Sequence, residues 1–400
     1  MPRRLALVPT LACAAAGFAA DSVPAAAPEA PRALPSSASL AGAGDGAERL
    51  LRNIRWGAYG ELHYNNFQSD ATAQKDRIEL HRLVLLAEAQ LHERIGFVAE
   101  IEIEHGFVQA GQGEVEVEQA YLDFLLHERH HARAGVLLVP ISIGNLYHEP
   151  TLFHGTERPY IDNLIVPTTW YEAGAGLYGN ILEGLDYAVV GQAGLDSTNL
   201  DGQRFQATNA IRGGRQRGFE SDAENFMGTA RLDYRPLAGL WLAGAVNAGD
   251  STHDESIEGG QVILYTLEAR YNAHAIDAGV TWAQGRISDP ETLPLYSPTT
   301  NPIPEVFEGL SAFVAYDVLS FVGDTAQQLY PFVRYENIDT QAEVPDGATV
   351  NEALQRQIIQ YGLTYKPIPQ VAIKFDYRDE SNDSDTTAVD SWNVGVGFAF

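Results

Sequence analysis

Residues 391–400 read SWNVGVGFAF. Trp392, Val394, Val396, Phe398 and Phe400 are large and apolar; Asn393, Gly395, Gly397 and Ala399 between them are small or polar. Strict alternation marks a strand with two different environments. The same period runs upstream. FVAEIEIEH places Phe97, Ala99, Ile101 and Ile103 on one face and Glu100, Glu102 and Glu104 on the other. VAIKFDYR opposes Val371, Ile373, Phe375 and Tyr377 to Lys374, Asp376 and Arg378. A pleated strand presents such faces automatically, and a helix cannot.

From Arg55 onward about sixteen such segments follow one another, near 55–67, 77–91, 94–105, 114–126, 132–140, 170–179, 185–194, 225–235, 240–248, 261–272, 275–287, 307–318, 328–338, 357–366, 370–380 and 391–400. Each is close to the roughly 9–11 residues that a tilted strand needs to cross a bilayer. Segments 77–91 and 114–126 change phase midway, which predicts bulges there. The connections alternate between tight turns, such as HE at 92–93 and NILEG at 180–184, and long polar loops at 141–169, 195–224, 249–260, 288–306, 339–356 and 381–390. Sorted loops and an even strand count predict an all-β fold, a transmembrane antiparallel β-barrel of about sixteen strands over residues 55–400. The greasy face of 392–400 is then covered by lipid, and the last strand pairs with the first, because an open edge in lipid leaves backbone groups unpaired. Trp56, Trp170, Trp241, Trp282 and Trp392 are expected at strand ends or on outward phases, as an interfacial girdle.

The chain opens MPRRLALVPTLACAAAGFAA, a basic n-region, an apolar stretch and small residues, which reads as a signal peptide over 1–20, with cleavage there or as late as residue 27. Residues 21–54, rich in Ala, Pro and Ser, read as a flexible N-terminal segment. The formal charge is −27, and loss of residues 1–20, with two arginines and no acid, makes it −29. That acidity argues against nucleic acid as a partner and favours cations. Only Lys75, Lys366 and Lys374 are lysines, and the one cysteine, Cys13, lies in the signal.

The stretches GEVEVEQAYLDF, VPISIGNLYHEPTLFHGTERP, IVPTTWYEAGAG, IRGGRQ, PFVRYENIDTQAEVPDG and YGLTYKPIPQVAIKFDY together resemble the phosphate-selective porin O and P family over about residues 55–400. The resemblance implies a trimeric sixteen-stranded channel of the bacterial outer membrane, passing anions such as phosphate along basic lumenal residues. It also implies that Phe400 is the signal read by the barrel assembly machinery. The chain departs from that pattern at Leu138, where the family often has lysine, and its inward faces carry Glu100, Glu102, Glu104, Glu114, Glu116 and Glu118.

The loop PISIGNLYHEPTLFHGTERPYIDNLIVPTTW is too rich in Ile, Leu, Tyr and Pro for a solvated tip, and is expected to fold inward and narrow the lumen. Arg158 lies on it; Arg212, Arg215 and Arg217 lie on the next long loop; Arg77, Arg133, Arg231 and Arg270 fall on inward strand phases. These eight are the candidate pore and solute-binding residues, since guanidinium forks suit phosphate or carboxylate groups. Pairing with acids such as Glu220, Asp222 and Glu224 is the competing reading for the loop arginines. His148, Glu149, His154 and Glu157 are ligand types whose spacing fits no established metal site, and neither metal nor cofactor is expected. No nucleophile or phosphate-loop motif points to an enzyme. The sequence therefore reads as a passive diffusion channel for small charged solutes, with a cation-preferring or general porin as the alternative. The rivals of another class are a barrel enzyme and a non-conducting structural barrel.

Overall fold

The computed structural model describes residues 54–68, 75–109, 113–198, 204–253, 256–323, 325–384 and 388–400. The signal peptide and nearly all of the 21–54 segment lie outside the described residues. Sixteen strands form one closed antiparallel barrel in which each pairs with its sequence neighbours and the last with the first. They are β1 (Ile54–Gln68), β2 (Arg77–His92), β3 (Ile95–Glu104), β4 (Val115–His127), β5 (His130–Leu138), β6 (Tyr171–Leu182), β7 (Leu185–Ala193) and β8 (Phe226–Leu237). The second half comprises β9 (Leu240–Asp250), β10 (Gln261–Ala273), β11 (Ile276–Ile287), β12 (Val306–Tyr316), β13 (Gln328–Glu343), β14 (Gln355–Ile368), β15 (Val371–Asn382) and β16 (Asp390–Ala399). The alternation in the sequence located every strand to within a few residues, because the pleat enforces it.

Closure runs from Tyr59↔Ala399 to Gln68↔Asp390. Beyond this ladder, the Ala58 N–H donates to the Phe400 carbonyl at 3.0 Å and the Phe400 N–H to the Ala58 carbonyl at 2.9 Å. Outward side chains such as Leu62, Val189, Leu232, Leu267, Val314, Ile359, Phe375 and Val396 are exposed, and their inward neighbours are buried. A belt of apolar side chains around a closed ladder is the solution for a barrel whose outer solvent is lipid. The two expected bulges are present. His81 is the extra residue of β2 opposite Glu61 and Leu62, and Glu118 that of β4 opposite Glu100 and Ile101.

The aromatic girdle needs a correction. Trp170 and Trp241 are buried inside the barrel. The Trp170 indole N–H donates to Glu172 at 3.2 Å and that of Trp241 to Asp233 at 2.7 Å. Each indole donor finds an inward carboxylate, which an outward ring in lipid could not reach. Trp56 and Trp392 are exposed, as expected of outward rings.

The Phe400 ring extends the outward stripe, packing 6.5 Å from Phe398. Its deletion removes one side chain worth about 1.5–3 kcal/mol of burial and both closing hydrogen bonds to Ala58. The deletion variant is expected to reach the outer membrane at a small fraction of the wild-type level, scored by heat-modifiable mobility in fractionated membranes. Equal levels would refute this role.

Candidate functional site

The loop 139–170 between β5 and β6 folds into the lumen. It begins with one helical turn, Ile143–Leu146, capped by the Ser142 hydroxyl, which accepts from the Asn145 N–H. A second turn spans Ile161–Ile165. Its apolar underside, Ile141, Ile161, Ile165, Val166 and Trp170, joins a core built on the inward faces of the second half of the barrel, with Leu264, Phe307, Ile338 and Ile358. Glycines on the wall make this seat. A Cβ on Gly309 would stand 3.0 Å from Ile165 and 3.3 Å from Ile161, and one on Gly397 would stand 2.6 Å from Pro150.

A buried loop with little internal ladder must find partners for its N–H and C=O groups. Acids on the wall take the donors. Glu268 accepts from the Ile143 N–H at 2.9 Å. Asp376 accepts from the Thr156 N–H at 2.7 Å, and Glu336 from Tyr160 and Ile161 at 3.0 and 3.1 Å. Arginines take the acceptors: Arg82 donates to the His148 carbonyl at 2.6 Å, Arg270 to Leu152 at 2.8 Å and Arg334 to His154 at 2.6 Å. Cations also sit on the loop's rings, Lys374 3.6 Å from the centre of Phe153 and Arg378 4.6 Å from that of Tyr160. A cavity of ≈ 80 Å³ remains under the loop, lined by Ile143, His148, Arg158, Asp162, Glu268 and Arg334 among others.

Four of the eight candidate arginines pair with carboxylates, one is exposed and three converge on the loop. Arg133 binds Asp123 at 2.7 Å with its guanidinium over Tyr178. Arg231 is bidentate on Asp233 at 2.8 Å and reaches Glu268 at 3.1 Å. Arg270 pairs with Asp277 at 3.1 Å. Arg217 pairs with Glu114 at 2.9 Å and with Glu116, on β4 and the residue before it, rather than with Glu220, Asp222 or Glu224. Arg77 is exposed at the start of β2, 5.7 Å from the Phe67 ring centre. The other three converge on one end of the inward loop. Arg158 donates to the Thr169 hydroxyl at 3.1 Å, Arg212 to the Asn163 carbonyl at 3.3 Å and to Thr168, and Arg215 to Pro167 at 3.1 Å. Their partners are neutral oxygens, so three positive charges accumulate there; burial lowers the Arg212 pKa, and Arg215 and Arg158 lower it further. The inward glutamates of β3 and β4 carry the opposite charge. Among the described residues, Glu100, Glu102 and Glu118 form no ion pair with arginine or lysine.

The alternation had placed these charges on inward faces. It missed that Glu268, Glu336, Asp376, Arg82 and Arg334 hold the loop's backbone, because a strand pattern carries no trace of a loop that packs against it from far along the chain.

Burial, reinforced by Glu268 and Glu336, pushes the Asp162 carboxyl up to about 7, against the pull of Arg158 and Arg334. One of its oxygens, Oδ1, is buried without a partner. A carboxyl raised in the folded state stabilises the loop only while protonated, so that contribution is lost as pH climbs from about 4 to about 7. Single-channel records at pH 8 are therefore expected to show more loop-driven current noise than at pH 5, and Asp162→Asn should be quiet at both. Equal noise at the two pH values in the wild type would contradict this.

No protein-family model matches the chain. An uncharacterized protein of Aquifex aeolicus (strain VF5) is 34% identical over 366 residues, covering 88% of this chain and 82% of that protein, and the chain belongs to its family. Among solved structures, OmpF of Salmonella typhi in complex with daunomycin superposes with a TM-score of 0.61 at 14% identity, over 87% of this chain and 97% of that one. The outer membrane channel DcaP of Acinetobacter baumannii gives 0.56 at 10% identity, over 87% and 97%. OmpT of Vibrio cholerae, an outer membrane protein in its trimer form, gives 0.53 at 9% identity, over 87% and 99%. At these identities the likeness is one of fold. The fold is that of bacterial outer-membrane porins, and with its lipid-facing belt the protein is an outer-membrane β-barrel.

Proposed function

We propose that this protein is a passive outer-membrane diffusion channel for small charged solutes, a channel rather than an enzyme, narrowed by the loop 139–170 and preferring cations. The observation that carries the preference is the asymmetry of charge compensation. Arg82, Arg133, Arg217, Arg231 and Arg270 are each neutralised by a carboxylate. Glu100, Glu102 and Glu118 are buried together on β3 and β4 with no arginine or lysine ion-paired to them among the described residues. Low-dielectric walls focus that field and raise the local concentration of counter-ions. The formal charge of −27 acts in the same sense.

A second reading, an anion channel for phosphate-like solutes, is favoured by the convergence of Arg158, Arg212 and Arg215. Against it, Lys374, one of three lysines, is buried against Phe153. The reversal potential across a planar bilayer under a potassium chloride gradient separates the two. Cation selectivity at low salt, fading toward 1 M, supports the first; anion selectivity under the same conditions supports the second. A homotrimer is part of the proposal, as are export by a signal within residues 1–27 and recognition of Phe400 by the barrel assembly machinery.

A further inference from the structure

Four side chains meet deep in the lumen from three strands and the inward loop. The Tyr59 hydroxyl of β1 lies 2.8 Å from Glu100 Oε1 of β3, 2.8 Å from His148 Nε2 of the loop and 3.5 Å from Glu118 Oε2 of β4. His148 Nε2 is itself 3.5 Å from Glu118 Oε2 and 4.0 Å from Glu100 Oε1. All four side chains are almost wholly buried. Glu102 adjoins the group, its carboxyl against that of Glu118. Glu118 and Glu102 each keep one oxygen, Oε1, buried with no hydrogen-bond partner.

The proton count does not close. His148 Nδ1 stands 3.1 Å from the Asn145 carbonyl, which can only accept, so Nδ1 carries a proton and in the neutral ring Nε2 presents a lone pair. Asn145 is fixed in turn by Val139, Trp170 and Ser142. The single Tyr59 hydroxyl proton is then left to Glu100 Oε1, Glu118 Oε2 and His148 Nε2 together. Gln119 satisfies the other oxygen of Glu100. The nearby cations hydrogen-bond other groups: Arg82 donates to Glu61 and the His148 carbonyl, its guanidinium 5.2 Å from the Tyr59 ring centre and its Nη1 without a partner, and Arg158 donates to Thr169. Buried acceptors without donors are costly in a low dielectric.

We propose that Glu100, Glu118 and His148 bind a divalent transition-metal ion, with Tyr59 and Glu102 as supporting oxygens. One imidazole nitrogen and two carboxylate oxygens suit zinc, cobalt, manganese or ferrous iron. The His148 Nδ1–carbonyl contact is the outer contact that orients metal-ligating histidines. The 3.5 Å separation falls within the roughly 3.0–3.5 Å that ligands at metal–ligand bonds of about 2.1 Å span, and the 4.0 Å one must shorten on binding. Alternation aims Glu118 inward, and the bulge at Glu118 lets the next residue, Gln119, reach Glu100 as well, a recurrent use of bulges near functional groups. The sequence hid the site because its ligands lie on separate elements, with only His148 in the loop that had drawn attention. The inference does not rest on ion conduction.

The test is equilibrium binding of cobalt(II) to the full barrel, purified in detergent and stripped with EDTA. Histidines 63, 81 and 105 offer two further candidate clusters with Glu157 and Glu79, both containing His81, so the titration is run in a His81→Ala background. One cobalt per chain is expected, with visible d–d absorption, and zinc should displace it. Adding Glu118→Gln should weaken binding by about a hundredfold or more, since even outer contacts are worth 10–100-fold. Heat-modifiable mobility verifies that each variant is a folded barrel. Should Glu118→Gln fail to fold, cobalt X-ray absorption of the loaded His81→Ala protein decides instead, compared with the same protein carrying His148→Ala: a cobalt-bound imidazole lost with His148 supports the site, and one that is absent or persists overturns it. Absence of stoichiometric cobalt from folded His81→Ala protein, or binding unchanged by Glu118→Gln, would also overturn it.

Discussion

Single-channel conductance should rise severalfold when Glu268, Glu336 and Asp376 are replaced together by alanine. These three carboxylates accept from the backbone N–H groups of Ile143, Thr156, Tyr160 and Ile161. Hydrogen bonds to charged groups contribute about 1.5–3 kcal/mol each, and a buried donor left unpaired costs a similar amount. Losing three anchors sets a penalty comparable to the whole stability of an ordinary domain, about 5–15 kcal/mol, against a loop held otherwise by its apolar underside and the arginines. The barrel ladder is untouched, so the expected variant is a folded barrel with a displaced loop. Heat-modifiable mobility separates that outcome from misfolding. Unchanged conductance in a folded variant would mean that the loop does not set the narrowest passage.

The second large effect concerns charge. Replacing Arg212, Arg215 and Arg217 by glutamine removes two of the three cations gathered at residues 163–169 and frees Glu114 and Glu116 from Arg217. Both changes act in one direction. The reversal potential at low salt should move strongly toward the cation limit. The shift should nearly vanish at high salt, because the screening length falls from about 30 Å at 0.01 M to about 3 Å at 1 M. If conductance persists without any low-salt shift, the permeating ions do not sense these residues. Glutamine retains hydrogen-bonding capacity, so the loss of charge is separated in part from loss of the contacts to Asn163 and Pro167.

The barrel was legible because its physics is local. Period-two alternation and tight turns such as Gly184 and Gly239, both at positive φ, are written within a few residues of where they act. The phase slips at His81 and Glu118 were visible for the same reason. The inward loop was legible from composition: Ile141, Ile161, Ile165 and Trp170 are buried where a solvated tip would place polar residues. What alternation could not carry was partnership. Trp170 and Trp241 share a residue type with girdle tryptophans, and only the inward carboxylates Glu172 and Asp233 decide their direction. Arg231 and Arg270 are inward as expected, but Asp233, Glu268 and Asp277 around them are set by strand register and closure. The cluster of Tyr59, Glu100, Glu118 and His148 joins residues up to 89 positions apart, beyond the reach of any local pattern.

The central claim is that this barrel conducts around its inward loop. Purified protein reconstituted into a planar bilayer at 1 M potassium chloride tests it most directly. Discrete, ohmic conductance steps that persist without any added energy source are expected. A folded, inserted barrel that stays electrically silent would contradict it and would make the protein a sealed structural barrel.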